Sequence, residues 1–441
     1  MIPTPIADFL DRYAASDAAR FHMPGHKGRL SPEAAFDLTE IDGAGDLFAS
    51  RGIVAESEKI ASSLFGCPTY YSAEGSSLAI RAMLALCVTN ENRRVLAARN
   101  AHRAFLSAAI LLDLDVTWLV PGARGDYLSC PVTAGDLSAA LDSCAAPPAA
   151  VYVTSPDYLG HTLDIAALAS VCRARGVPLV VDNAHGAYLH FLSPARHPMD
   201  LGADLAASSA HKTLPALTGA AYLQLSPAFA GTCADRVKGT LALFASSSPS
   251  YLILRSLDRL NRYLEAYPAA LAACVRRIDA LRRRLTATGF SLVGDEPLKL
   301  TLRTKPVGYT GDALARALLD AGLVPEFYDP DFVTLMLTPE NTEAELTRLE
   351  TALTSLEKRS PLPEGCPALT LPERVLSPRA AFFAPRVRLP LDAAAGRVAA
   401  AVTAFCPPAV PIVTPGERIG DSEISLMRYY GVSTVDAVAE V

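Results

Sequence analysis

Several things are scarce in this chain, and each scarcity excludes something. Only 20% of its 441 residues are charged, and the net charge is −6. No basic stripe or Arg-rich arm is visible, so nucleic acid is not an expected partner. The nine cysteines are scattered and contain no Cys-x-x-Cys pair. That pattern argues against a metal centre and a disulfide scaffold, and fits a reducing cytoplasm. No apolar run approaches the roughly 20 residues that span a bilayer, so no membrane partner is expected. The start, Met1-Ile2-Pro3-Thr4-Pro5, lacks the charged-then-apolar pattern of a signal peptide. No internal repeat is visible. What is present is a half-hydrophobic composition, enough for a large core in two or three domains.

Residues 1–50 read mostly as an arm, with a short helix over 8–18. The turn-rich run Phe21-His22-Met23-Pro24-Gly25-His26-Lys27-Gly28-Arg29 suits either an anion or a solvated loop. From residue 53 to about 230, short apolar strands alternate with helices. The strands fall near Val95–Ala98, Val116–Val120, Ala149–Thr154 and Pro178–Val181, and on either side of the stretch 208–219. Continuous apolar strands between helices predict a parallel sheet covered on both faces. Residues 235–287 read as long helices with a break at 245–251, one of them running from Tyr251 to Thr286. Its arginines (Arg276, Arg277, Arg282, Arg283, Arg284) form a solvated face. A second α/β region follows, with strands near 292, 299–302, 323–328 and 332–337 and helices over 311–321 and 341–357. A Pro-rich linker over 359–374 leads to a small C-terminal module. The expected division is therefore 1–50, 51–250, 251–358 and 375–441.

In parallel α/β sheets, ligands sit beyond the C-terminal ends of the strands. Gly75, Ser76, Ser77, His102, Ser155, Asp182, His185 and Lys212 all fall there or at the following turn, so they are expected to form one site. Lys212, in Ser208-Ser209-Ala210-His211-Lys212-Thr213, is placed to hold an aldehyde as a Schiff base. Lysine attacks carbonyls when uncharged, and its pKa falls readily on burial. Pyridoxal phosphate would need that lysine, a carboxylate for its ring nitrogen, phosphate donors at a helix N-terminus and packing for the ring. Lys212, Asp182, the Gly75-Ser76-Ser77 turn and His102 answer those needs in turn. Ala184 is small enough to lie beneath a ring, and Ser209 and His211 flank the lysine.

Several motifs together resemble the Orn/Lys/Arg decarboxylase family, in its short bacterial form. They are Phe21 to Gly28, Asp37 to Leu47, Thr154-Ser155-Pro156, Val181-Asp182-Asn183-Ala184-His185-Gly186, His211-Lys212-Thr213-Leu214, Ser247-Ser248-Pro249-Ser250-Tyr251 and the C-terminal Pro-Pro…Pro-Gly-Glu run. The resemblance implies the fold type I pyridoxal-phosphate architecture, α/β with a large domain built on a mostly parallel seven-stranded sheet sandwiched by helices, plus smaller α/β C-terminal parts. It implies that Lys212 bears the cofactor, Asp182 pairs with the pyridine nitrogen, His102 stacks on the ring, and His211 handles protons nearby. It further implies that Ser76, Ser77, Ser209 and a hydroxyl of Ser246-Ser247 hold the phosphate, the last from the other subunit of a homodimer. A basic amino acid (arginine ahead of lysine or ornithine) would then displace Lys212, lose CO2 and leave as an amine, as in polyamine biosynthesis.

The chain departs from the family pattern at Glu74 in the phosphate turn, at Ala101 and Arg103 around His102, at Asp157 and Leu159, and at Ala409. A basic substrate needs a carboxylate at its distal end; Asp157, Glu326 or Asp329 is expected to supply it, or these are surface acids. An aminotransferase or another lyase on the same fold, and a non-catalytic ligand-binding relative, are the competing readings. Retention of Lys212, Asp182 and His102 speaks against the last.

Overall fold

The computed structural model describes residues 2–122, 126, 128–357, 359–368, 370–404 and 410–439. The C-terminal Pro407-Pro408-Ala409 motif therefore lies outside the described residues. In chain order the first half comprises α1 (Pro5–Ala15), α2 (Ile53–Phe65), β1 (Thr69–Ser72), α3 (Gly75–Cys87), β2 (Arg94–Ala98), α4 (Arg103–Leu111), β3 (Asp115–Leu119), α5 (Ala134–Asp142), β4 (Ala150–Thr154), α6 (Ile165–Ala174), β5 (Leu179–Asp182), β6 (Leu205–Ser208), α7 (Ala210–Thr213) and β7 (Ala221–Leu225). The seven strands form one sheet in the order β1-β7-β6-β5-β4-β2-β3. β4, β5 and β6 run parallel to one another, as do β2 and β3, while β7 is antiparallel to β6 and to β1. The expected mostly parallel seven-stranded sheet is thus present. Its strands are nearly continuous apolar runs because they are buried on both faces.

Three long helices follow: α8 (Pro227–Phe244), α9 (Tyr251–Tyr263) and α10 (Tyr267–Ala287). The expectation of one helix from Tyr251 to Thr286 is corrected here. Pro268 has no N–H, and its ring would meet the carbonyl of Leu264, so the helix stops and restarts. The chain then makes a four-stranded antiparallel sheet from β8 (Ser291–Val293), β9 (Lys299–Arg303), β10 (Phe327–Tyr328) and β11 (Phe332–Met336), in the order β10-β11-β9-β8. The strand expected over 323–328 shrinks to two residues, since Pro325 cannot donate to a ladder. Helices α11 (Gly311–Asp320) and α12 (Glu343–Thr354) accompany this sheet, with α11 packed on β11. The C-terminal module contains α13 (Pro378–Phe383), β12 (Arg386–Pro390), β13 (Thr403–Ala404), β14 (Pro411–Val413), α14 (Asp421–Tyr429) and β15 (Thr434–Val438), with β12 paired to β15 and β13 to β14.

By compactness the chain forms two units. One contains residues 1–89, 149–155 and 165–271; the other contains 90–148, 156–164 and 272–441. In the first, α3 packs on β6, β7 and α8. α1 is held there through its buried Ile6, Ala7 and Leu10, and Asp258 of α9 accepts the Ala7 N–H at 2.8 Å. In the second, Leu128, Leu159, Phe327, Phe332, Ile412 and Met427 belong to one apolar core. Leu159, a departure from the family pattern, is therefore a core residue.

Candidate active site

The first unit gathers most of the expected site at the ends of β5 and β6. Asp182 ends β5, in register with Thr154 of β4 and Ala207 of β6. It is only 2% exposed. One carboxylate oxygen accepts the Tyr152 hydroxyl at 2.9 Å, and the other accepts the Ala184 N–H at 3.1 Å. Burial pushes its pKa up, while the Tyr152 hydroxyl, the charge of Lys212 and the Ala184 N–H pull it down. Lys212 lies one step beyond β6. The sequence predicts a turn there; the backbone instead closes one short helical turn, α7, with Ser209 at its N-cap. Lys212 Nζ is 3.1 Å from His185 Nε2. His211 Nδ1 is 2.8 Å from the Ala220 carbonyl, so Nδ1 carries the proton and Nε2 of the neutral ring is the basic nitrogen.

The anion-binding end stands in the same unit. Gly75, at φ +73°, opens α3, and its N–H donates to the Gly219 carbonyl at 2.7 Å. Ser76 and Ser77 follow in the first turn, where backbone N–H groups lack helical acceptors. Ser209 Oγ donates to Ser76 Oγ at 2.9 Å, which joins α7 to the α3 terminus. Ser246 and Ser247 occupy the exposed turn between α8 and α9, and the Ser246 N–H donates to Glu74 Oε1 at 2.6 Å.

Some contributors carried no sequence signal. Tyr152, two residues before the end of β4, is one. A second is the buried set behind β5 and β6. Ser208 Oγ donates to Gln224 and accepts from Asn183 Nδ2, and His197 Nε2 lies 3.3 Å from it. Burial drives the His197 pKa down to about 3, so its ring is neutral. This set fixes Asn183 and Ser208, the neighbours of Asp182 and Ser209. Its members are far apart in sequence, and only the alternation of inward positions along β6 and β7 could have hinted at it.

Ser155 also stands in the first unit, its N–H donating to the Asp182 carbonyl at 3.0 Å, and the remaining expected residues belong to the second unit. His102 caps α4, its Nδ1 accepting the Ala104 N–H at 3.1 Å. Asp157 is engaged by its own surroundings: Oδ2 accepts the Ser129 hydroxyl at 2.6 Å and lies 3.1 Å from His161 Nδ1, and Oδ1 accepts the His161 N–H. The hydrogen bond to Asp157 raises the His161 pKa against burial. Glu326 is exposed and accepts a long 3.4 Å hydrogen bond from Tyr158. Asp329 is 1% exposed; Oδ1 accepts the N–H groups of Asp331 and Phe332, and burial pushes its pKa up to about 7. These bonds hold loops: both oxygens of Asp157 are engaged, whereas Asp329 keeps Oδ2 buried without a hydrogen-bond partner. Back in the first unit, the basic run of residues 22–29 is folded on itself. His26 pairs with Asp37 at 3.1 Å, and Lys27 donates to the His22 carbonyl.

The donor set of the first unit can be tested against pyridoxal phosphate. An aldehyde needs an amine, a ring nitrogen needs a buried carboxylate, and a phosphate needs hydroxyls at a helix N-terminus. Lys212, Asp182 and the Ser76–Ser209 pair at α3 supply all three, and the charge of Lys212 is felt at Asp182. The residues fit the group. Among the described residues no cluster of His, Cys, Asp or Glu could hold a metal ion, and no helix is long and apolar enough to cross a membrane.

Comparison with known proteins matches residues 4–293 to the major domain of the Orn/Lys/Arg decarboxylases and residues 368–435 to their C-terminal domain. An arginine decarboxylase of Halalkalibacterium halodurans is 29% identical, over 96% of this chain and 93% of its own length. A Bacillus subtilis protein named only as uncharacterised is 30% identical, over 98% and 95%. Among solved structures, a Francisella novicida lysine decarboxylase superposes with a TM-score of 0.83 over 99% of this chain and 81% of its own, at 16% identity, a likeness of fold.

Proposed function

Because the chain belongs to the Orn/Lys/Arg decarboxylase family, and is thereby a pyridoxal-phosphate-dependent amino-acid decarboxylase, we propose that it removes CO2 from a basic amino acid, arginine ahead of lysine and ornithine. The observation that carries the reading is that buried Asp182 at the end of β5 and Lys212 in α7, just beyond β6, stand in one unit, close enough for the charge of Lys212 to lower the Asp182 pKa. The preference for arginine rests on relatives named as arginine decarboxylases at 28–29% identity.

When bound, pyridoxal phosphate supplies a carbonyl for the substrate amine and a ring that takes up the electron pair left by CO2. The protein's part is binding, orientation and proton handling. Asp182, buried and drawn toward its charged form by Tyr152, Lys212 and the Ala184 N–H, would face the ring nitrogen and keep a proton on it. Ser76, Ser77, Ser209 and the first N–H groups of α3 hold the phosphate, with Ser246 or Ser247 as a further hydroxyl donor across a homodimer. Ala184 would lie beneath the ring, and the family resemblance gives His102 the stacking role. Lys212 Nζ, with His185 within hydrogen-bonding distance, would hold the cofactor's carbonyl carbon and take or give a proton at Nζ. His211 orients through the Ala220 carbonyl and leaves Nε2 to move a proton. A cytoplasmic setting fits the eight described cysteines, all free.

CO2 and amine release from arginine, lysine, ornithine and a panel of other amino acids tests the reading, in wild type and in Lys212→Ala. Arginine should give the highest turnover, and the variant should lose about a thousandfold or more. No CO2 from any basic amino acid would overturn the substrate class. Keto-acid products in its place would establish an aminotransferase.

A further inference from the structure

We infer that Glu74 is a positioning residue. Its carboxylate latches the Ser246–Ser248 turn to the N-terminal end of α3 of the same chain and so sets how that turn presents its hydroxyls to the phosphate site across the homodimer. The inference rests on the reading of α3 as the cofactor's phosphate site. Glu74 occupies the N-cap of α3, yet its side chain makes no cap hydrogen bond to its own helix. The turn around it is held by other groups: Ser72 Oγ accepts the Glu74 N–H at 3.2 Å and donates to the Gly75 carbonyl at 2.9 Å. With its backbone fixed in this way, Glu74 directs its carboxylate to the Ser246 N–H at 2.6 Å.

The far side of the contact is built to be latched. Ser246 follows the C-cap of α8, its Oγ accepts the Ser248 N–H at 3.1 Å, Pro249 is buried, and Ser250 starts α9. One N–H held at the head of this turn therefore fixes Ser246, Ser247 and Ser248 together. An acidic residue at this point has a second consequence. Its negative charge stands at a helix terminus that is otherwise suited to anions. Repulsion of the phosphate by Glu74 opposes cofactor binding, whereas the latch favours it. The two effects have opposite signs and different chemical requirements. A neutral oxygen acceptor satisfies the latch without the repulsion.

Glu74→Gln and Glu74→Ala separate them in the full-length protein. Pyridoxal phosphate affinity is read by titration of its visible absorption, and amide hydrogen exchange over residues 245–250 is read with and without the cofactor. Glu74→Gln should keep exchange slow and tighten cofactor binding about two- to fivefold, the scale of an exposed charge pair. Glu74→Ala should speed exchange at Ser246–Ser248 about tenfold and bind the cofactor about three- to tenfold more weakly than Glu74→Gln, the scale of one hydrogen bond. Equal exchange and equal affinity in the two variants would overturn the latch. If the wild type takes up no cofactor, the reading of the phosphate site falls, while exchange without cofactor still decides the latch itself.

Discussion

At the scale of residues, the chemistry turns on one buried carboxylate and what surrounds it. Asp182 must be ionised to keep a proton on a ring nitrogen, yet burial alone would drive it toward the neutral acid. The Tyr152 hydroxyl, at 2.9 Å, is one of the groups that hold it in the charged form. Tyr152→Phe removes that donor with little change of shape. A hydrogen bond to a charged group contributes about 1.5–3 kcal/mol, so kcat/KM on the preferred substrate should fall about ten- to a hundredfold. The loss has a direction in pH as well. Without Tyr152 the Asp182 pKa rises further, so activity should disappear at a higher pH on the acidic side than in wild type. A pH–rate profile with an unmoved acidic limb would assign Tyr152 to packing alone. Lys212 and Asp182 are legible in the sequence because Asp182 closes an apolar strand and Lys212 stands in the polar stretch just after another, where ligands of such sheets sit. Tyr152 is not. Inside the run Ala150–Thr154 it reads as one more core residue, and only the register of β4 against β5 brings its hydroxyl to the carboxylate.

At the scale of elements, local signals carried the large sheet and long-range ones were lost. Six of its seven strands read as apolar runs; β1, Thr69–Ser72, is too polar and short to stand out and is recognised only by its pairing with β7. The break between α9 and α10 was also present in the sequence, at Pro268, but the amphipathic pattern continues across it and hides it. What no local signal offers is a tie such as Arg99. It lies just past β2, buried, and donates to the carbonyls of Pro411 and Ile412 and to Glu417 at 3.2 Å, while its guanidinium stacks over Trp118. Glu417 is 2% exposed and also accepts Trp118 Nε1 at 2.9 Å and the Thr414 N–H at 2.7 Å. One side chain thereby anchors β14 of the C-terminal module to the end of β2. Arg99→Ala strands a buried carboxylate, which typically costs about 3–5 kcal/mol, so the urea midpoint should drop sharply. Adding Glu417→Gln should restore a substantial part, because the stranded charge is then gone. A double variant no more stable than Arg99→Ala would mean that packing on Trp118, rather than the ion pair, holds the module.

At the scale of the whole molecule, stability should fall as pH rises toward neutrality. Buried acids in both compact units have pKa values pushed up by burial: Asp258 up to about 6 in the first, Asp329 up to about 7 in the second, with Glu58 and Asp204 shifted in the same direction. The unfolded chain ionises the aspartates near pH 3.8 and Glu58 near pH 4.5, before the folded chain does. Their contribution is therefore fully present below those values and is lost as pH rises through about 6 and about 7. His161, raised by Asp157, adds to the same trend. The acids shifted downward, among them Asp11, Asp136, Glu350 and Asp436, act in the opposite sense, favouring the fold above their unfolded pKa. They lie at the surface, where solvent screens them; buried His197, lowered from 6.5 to about 3, also opposes the trend up to about pH 6.5, but it is one group against Asp258, Asp329, Glu58 and Asp204. Asp329 is the cleanest lever. Its Oδ1 accepts two backbone N–H groups, a task the amide oxygen of asparagine performs equally well. Asp329→Asn adds a pH-independent cost from the buried amide NH2, so the slope is the quantity to read, not the absolute Tm. Each such carboxylate tilts stability by at most about 1.4 kcal/mol per pH unit between its two pKa values. Thermal unfolding from pH 4 to 8 should therefore show a falling Tm in wild type and a shallower fall in Asp329→Asn. Parallel curves would mean that Asp329 is ionised in the fold across this range and that its loop bonds outweigh its burial.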